Sequence, residues 1–172
     1  MLTPLWHVTL PDLEDNTVES HFAPLVFALE GMIKINEFHI NRQMKKFRAT
    51  GRGTPFPPLY ASGVRYQEDP PGKENWRDCF AILAYVAATG RGVDCDQLIC
   101  WRVAELRSAG IAAEPVIKWQ HIPAAVARRL YPTMKIPDDG LWMIHCCVRF
   151  PDGSIEDTSK NLGMGGNFTG KV

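Results

Sequence analysis

The chain has 172 residues, 45% hydrophobic and 22% charged, with 19 Lys and Arg against 19 Asp and Glu. At about 150 residues per domain this predicts one compact domain with a buried core, and excludes a disordered chain, a collagen repeat or a basic nucleic-acid binder. The longest wholly apolar run, Phe80 to Ala88, is nine residues, against the roughly 20 of a membrane span, and the N-terminus lacks the charged-then-apolar order of a signal peptide.

The expected protein is therefore soluble, cytoplasmic or assembled into a particle, with neither membrane nor nucleic acid as partner. Its five cysteines, 79, 95, 100, 146 and 147, are odd in number and form no C-x-x-C pair, which fits a reducing compartment and no disulfide framework. Adjacent strand residues point to opposite faces, so Cys146 and Cys147 are expected as small core thiols. No metal and no cofactor are expected.

Residues 1–23 show no clear period beyond a short strand at Leu5–Leu10. From Pro24, which suits a first helical turn, Leu25, Leu29, Met32 and Ile33 recur at helical spacing and predict a helix to about Lys46. Residues 31–52 hold Lys34, Arg42, Lys45, Lys46, Arg48 and Arg52 against Glu37. They read either as a solvated helix face or as a surface that docks an assembly partner. The Pro- and Gly-rich stretch Ala49–Pro71 excludes regular helix and marks the best internal boundary, dividing an N-terminal extension (1–71) from a core (72–172).

Beyond it, Asn75–Ala88 predicts a buried helix with Trp76, Phe80, Leu83 and Ala87 on one face and Gly90 as its stop. A second helix is expected from about Cys95 to Ala109, closed by Gly110. The period then changes to two. Glu114–Gln120 and Leu141–Phe150 predict strands, with a short helical piece at Ala124–Leu130 between them and a return from Ser154 to Ser159 after Pro151-Asp152-Gly153. Helices followed by antiparallel strands make the fold class α+β.

Cys95 stands where the turn Gly92-Val93-Asp94 enters a helix. The unpartnered amides and partial positive charge of a helix start favour thiolate there, although Asp94 could equally be a simple cap beside an inert thiol. His145 lies fifty residues on, followed by Asp157 across the hairpin. A cysteine nucleophile needs an imidazole within reach, and the imidazole needs a partner that fixes its tautomer.

Turn length decides whether the acid can serve. A two-residue loop at Asp152-Gly153 would put Asp157 and His145 on opposite sheet faces. A three-residue loop, with Gly153 left-handed, pairs Phe150 with Ser154 and Asp157 with Cys147, making the acid a diagonal neighbour of His145. Pro-Asp-Gly suits the second turn.

Residues 76–157 resemble the core of the transglutaminase-like cysteine protease superfamily. The resemblance rests on Trp76, on Gly92-Val93-Asp94-Cys95-Asp96 before a helix, on Leu106-Arg107-Ser108-Ala109-Gly110-Ile111 leading to a strand, on His145, and on Pro151-Asp152-Gly153 running to Asp157-Thr158-Ser159. It implies a papain-like α+β fold with Cys95 as nucleophile, His145 as general base and acid, and Asp157 as orienter of the imidazole. By the same analogy the Cys95 amide is one oxyanion donor, and Trp76 and Gln67 are side-chain candidates for another.

The function expected on this reading is a cysteine amide hydrolase or acyltransferase acting on a protein or peptide amide. The alternative is a structural or assembly module on the same fold, such as a phage virion or secretion-apparatus component, docking through the basic helix.

Overall fold

A computed structural model of the protein describes residues 18–69, 75–166 and 170; the strand expected at Leu5–Leu10 lies outside them. The order is α1 (Val18–Thr50), a short 3-10 turn (Leu59–Ala61), α2 (Cys79–Thr89), α3 (Cys95–Ser108), β1 (Glu114–Ile122), α4 (Ala124–Leu130), β2 (Leu141–Arg149), β3 (Ile155–Glu156) and α5 (Thr158–Asn161). The three strands form one antiparallel sheet in the order β1-β2-β3. The architecture is mixed α+β, with α3 packed against β2.

α3 is the central element. Leu98, Ile99, Cys100, Trp101, Val103 and Ala104 are each fully buried, a pattern too continuous for a surface helix and natural for one enclosed on several sides. α1 covers one side through Leu25, Leu29, Met32, Ile33 and Ile40, and these share one hydrophobic core with Trp76, Cys79, Ile82, Ile117, Cys146 and Val148. Two polar ties fix the helices. The buried Asn36 Oδ1 accepts the Cys79 amide at 2.8 Å, and Arg107 donates to both carboxylate oxygens of Glu30 at 2.7 and 2.9 Å.

α1 is longer than its sequence period suggests, running from Val18 rather than Pro24 and to Thr50 rather than Lys46. Pro24 removes one hydrogen bond near the helix start, where the loss falls on a single turn, and the apolar stripe beyond it holds the helix against α3. α2 is shorter, because Asp78 caps it, accepting the amides of Phe80 and Ala81 at 2.9 Å each. Capping at Asp78 turns Cys79 and Ile82 inward and leaves Phe80 and Ala87 exposed. The expected buried helix with Phe80 and Ala87 inward is corrected to one half-open to solvent, with Trp76 buried ahead of it. In so uniformly apolar a segment the cap, not the period, selects the face.

Pro151-Asp152-Gly153 forms the three-residue turn. The Phe150 amide donates to the Ser154 carbonyl at 2.9 Å and Gly153 has φ +83°. Val148 pairs with Glu156 and Arg149 with Ile155, the register that carries Asp157 to Cys147. β3 is only two residues long, shorter than the expected return, because Asp157 caps α5 by accepting the Lys160 amide at 3.0 Å and ends the strand.

Candidate active site

The loop before α3 is pinned by a strap from the Pro- and Gly-rich connector. Tyr66 bridges Val93 in parallel, the Val93 amide donates to the Arg65 carbonyl at 3.1 Å, and the Gln67 amide donates to the Val93 carbonyl at 2.9 Å. Gly92 is required by this approach, since a Cβ there would run into the Arg65 carbonyl oxygen. Its amide donates to Gln67 Oε1 at 2.9 Å, leaving Gln67 Nε2 as the donor end of a fixed amide beside the loop that leads to Cys95.

At the helix start Asp94 accepts the Cys95 amide through one oxygen and the Asp69 amide, at 3.2 Å, through the other. The capping role weighed for Asp94 is the one observed. It also engages the amide that the family analogy offers as an oxyanion donor. Trp76 is buried in the main core.

Cys95 is half-buried, whereas Cys79, Cys100, Cys146 and Cys147 are buried. Its side chain interacts with both His145 and Cys146. These neighbours on β2 point to opposite sheet faces, so a thiol that touches both sits against the strand's edge. β3 pairs only with Val148 and Arg149, which leaves that edge open to the start of α3.

His145 is 3% exposed, and its Nε2 lies 3.0 Å from Asp157 Oδ1. With Nε2 on the carboxylate, Nδ1 is the nitrogen left for the Cys95 thiol. Burial disfavours the imidazolium, but interaction with Cys95 and the hydrogen bond and charge of Asp157 outweigh it and raise the His145 pKa above its usual range.

The Cys95 thiol moves opposite to the expected direction. The hydrogen bond with Cys146 and burial hold its pKa well above the ordinary range, and the Asp94 charge adds to them, against a lowering from His145. The expectation of thiolate at a helix start is corrected to a resting thiol, because its burial and its neighbours outweigh the helix end.

Three groups near the site carried no signal in the sequence. Tyr66 is flanked by the charges of Asp94, Cys95, Glu68 and Asp157, and burial followed by those charges holds its hydroxyl protonated far above the usual range. Arg102, on α3 below Cys95, donates to both oxygens of Glu156 at 2.8 and 3.1 Å. Tyr60 Oη donates to Glu156 at 2.5 Å and accepts from Asn161 at 3.1 Å. These contacts lock the residue before Asp157 to the helix that bears Cys95.

Among the described residues, His145, Cys147 and Asp157 bring one ligand atom each within 4.8 Å of one another. Imidazole, thiolate and carboxylate together form a donor set suited to zinc-like ions. Burial, with Asp157 adding, pushes the Cys147 thiol up to about 11, so a metal would have to displace a proton there. His7 and His21 lie outside the residues whose side chains are described; His39 faces Asp78 and His121 the Asp139 carbonyl. The site is a Cys/His/Asp cluster at a helix-sheet interface in an α+β fold. No family model matches the chain, and the comparisons with curated proteins and with solved structures return no match.

Proposed function

We propose that the protein is a cysteine-nucleophile amide hydrolase or acyltransferase, with Cys95, His145 and Asp157 acting as a triad on a transglutaminase-like core spanning about residues 72–172. The observation that carries this reading is His145 held between the Cys95 thiol and the Asp157 carboxylate. His145 Nδ1 takes the thiol proton as Cys95 Sγ attacks the amide carbonyl, and Asp157 stabilises the imidazolium that forms. The imidazolium then protonates the departing amine. Water or a second amine attacks the resulting thioester, giving up its proton to His145, and the thiol is restored.

The raised thiol pKa fits a proton transfer that accompanies attack rather than a standing ion pair. Gln67 Nε2 is the side-chain donor best placed for the oxyanion, because its other end is fixed by Gly92. No helix among the described residues is long and apolar enough to cross a membrane, and the substrate proposed is a protein or peptide amide. Incubation with p-nitrophenyl acetate tests the reading. A stoichiometric burst with an acetyl group on Cys95, absent in Cys95→Ala and strongly slowed in His145→Ala, supports it; steady hydrolysis unchanged in both variants removes it.

A non-catalytic assembly role is the second reading, favoured by Phe27 and Phe38, 82% and 61% exposed on α1, and by the exposed Arg42, Lys45, Lys46, Arg48 and Arg52 beyond them. On that reading the extension would dock, and acylation of Cys95 would not depend on His145.

A further inference from the structure

The two faces of the β1–β2 ribbon are covered unequally. On the face bearing His145, the far end of the ribbon is closed by a small core in which Ile122, Leu141 and Met143 pack with Ala127, Met134 and Ile136. On the opposite face Ile117 and Cys146 belong to the main core under α3, and among the described residues that core does not extend beyond them on this face. Trp119 pairs with Ile144 and His121 with Trp142 on this same face. Trp142 is 47% and Ile144 44% exposed, two large apolar side chains left open next to each other.

This surface is ordered and lies beside the nucleophile. Asp139 O fixes His121 Nε2 at 2.7 Å. The His121 ring packs on Trp142 with centroids 4.7 Å apart, and Trp142 packs edge-on against Trp119 at 5.2 Å. Cys146, which interacts with Cys95, shares the face with Ile144 and Trp142, which stand before it in β2. At about 3.3 Å per residue these lie roughly 7 and 13 Å further along the strand, within the reach of two to four residues of extended peptide.

We propose that Trp119, Trp142 and Ile144 form the substrate platform of the site, taking apolar or aromatic side chains of an extended peptide within about four residues of the carbonyl that Cys95 attacks. The proposal rests on the nucleophilic reading of Cys95. Continuity with the thiol favours a peptide substrate over any other occupant, and a surface built of two indoles, an aliphatic chain and one imidazole offers no fixed charge to an acidic or basic ligand. Burying one such side chain there raises the rate by about ten- to a hundredfold.

Two peptidyl chloromethyl ketones test this, identical except for Phe or Ser two residues from the electrophile, each timed for alkylation of Cys95 by mass spectrometry in the full-length protein. The Phe probe should react at least about tenfold faster. Trp142→Ser should erase that preference while leaving iodoacetamide labelling of Cys95 unchanged, and Ile144→Thr, which keeps a β-branched residue in the strand, should reduce it should Trp142→Ser misfold. Equal rates for the two probes, or a preference that survives both substitutions, would overturn the platform alone. Failure of every probe to modify Cys95 would overturn the nucleophilic reading and the platform with it. A dimer that Trp142→Ser turns into a monomer would assign the surface to a second copy of the chain instead.

Discussion

Arg102 and Glu156 meet in a two-point ion pair between the helix that carries Cys95 and the strand that delivers Asp157. Glu156 is one residue from Asp157 and Arg102 is on the helix that starts at Cys95, so the pair ties together the two elements that bring Cys95 and Asp157 to His145. Its partners are mostly buried, 18% and 17% exposed at the side chain, and charge-assisted hydrogen bonds of this kind contribute about 1.5–3 kcal/mol. Arg102→Met should therefore lower stability by about that amount in urea unfolding. It should also lower the His145 pKa measured by NMR, because Asp157 is no longer held against the ring. An unchanged His145 titration would make the pair purely structural.

Asp157→Asn should separate chemistry from folding. Asparagine can still cap α5 in place of the carboxylate that accepts the Lys160 amide, so stability should change by under about 1 kcal/mol. The lost charge removes one cause of the raised His145 pKa, and turnover or acylation of Cys95 should fall by about four orders of magnitude, as in comparable triads. A wild-type acylation rate would take Asp157 out of the site.

Alkaline pH should destabilise the fold. All five thiols are raised in the folded state. Burial does this for Cys79, Cys100 and Cys147; the Cys146 hydrogen bond and burial do it for Cys95; for Cys146 the hydrogen bond from Cys95 lowers the value, and burial together with the neighbouring Asp96, Cys100 and Cys147 outweighs it. Unfolded thiols ionise near pH 8.5, so above that value the unfolded state holds fewer protons than the folded one. Stability then drops, by up to about 1.4 kcal/mol per pH unit for each thiol. The raised His145 acts in the same direction, its contribution being complete below about pH 6.5 and lost as pH climbs through the folded value. Urea midpoints under reductant should fall from pH 8 to pH 10, and a flat profile would contradict the burial of the thiols.

Two glycines carry the site's backbone. Gly153→Val places a β-branched residue at φ +83° with no neighbour within 4 Å, a backbone cost of about 1–2 kcal/mol, and should displace Asp157 so that acylation falls further than stability. Gly92→Ala should cost about 1–3 kcal/mol, because its Cβ meets the strap at Arg65. If Gly153→Val left acylation intact, the hairpin would not be what positions the acid.

What the sequence made legible was local. The glycine stop of α2, the start of α3 at Cys95 and the Phe150–Ser154 register each follow from a few adjacent residues whose backbone preferences leave little choice. The unread parts depend on distant partners. Tyr66 reaches Val93 and Arg102 reaches Glu156 across 54 residues, and neither pairing leaves a period or a motif. The choice between thiolate and thiol at Cys95, open in the sequence, turns on such a partner too, since Cys146 approaches it only in the folded chain. The nearness of Cys147 to Asp157 does follow from the hairpin register, which brings both to His145.

The most direct test of the account is the rate of Cys95 alkylation by iodoacetamide at pH 7, in the wild-type protein and in His145→Ala. Selective labelling of Cys95 alone would not decide the matter, since it is the one thiol of the five that is not buried. Dependence on the imidazole does decide it. If His145 withdraws the thiol proton, the rate should fall by about tenfold or more in the variant; equal rates in the two proteins would contradict the claim that Cys95 and His145 work as a nucleophile and its base.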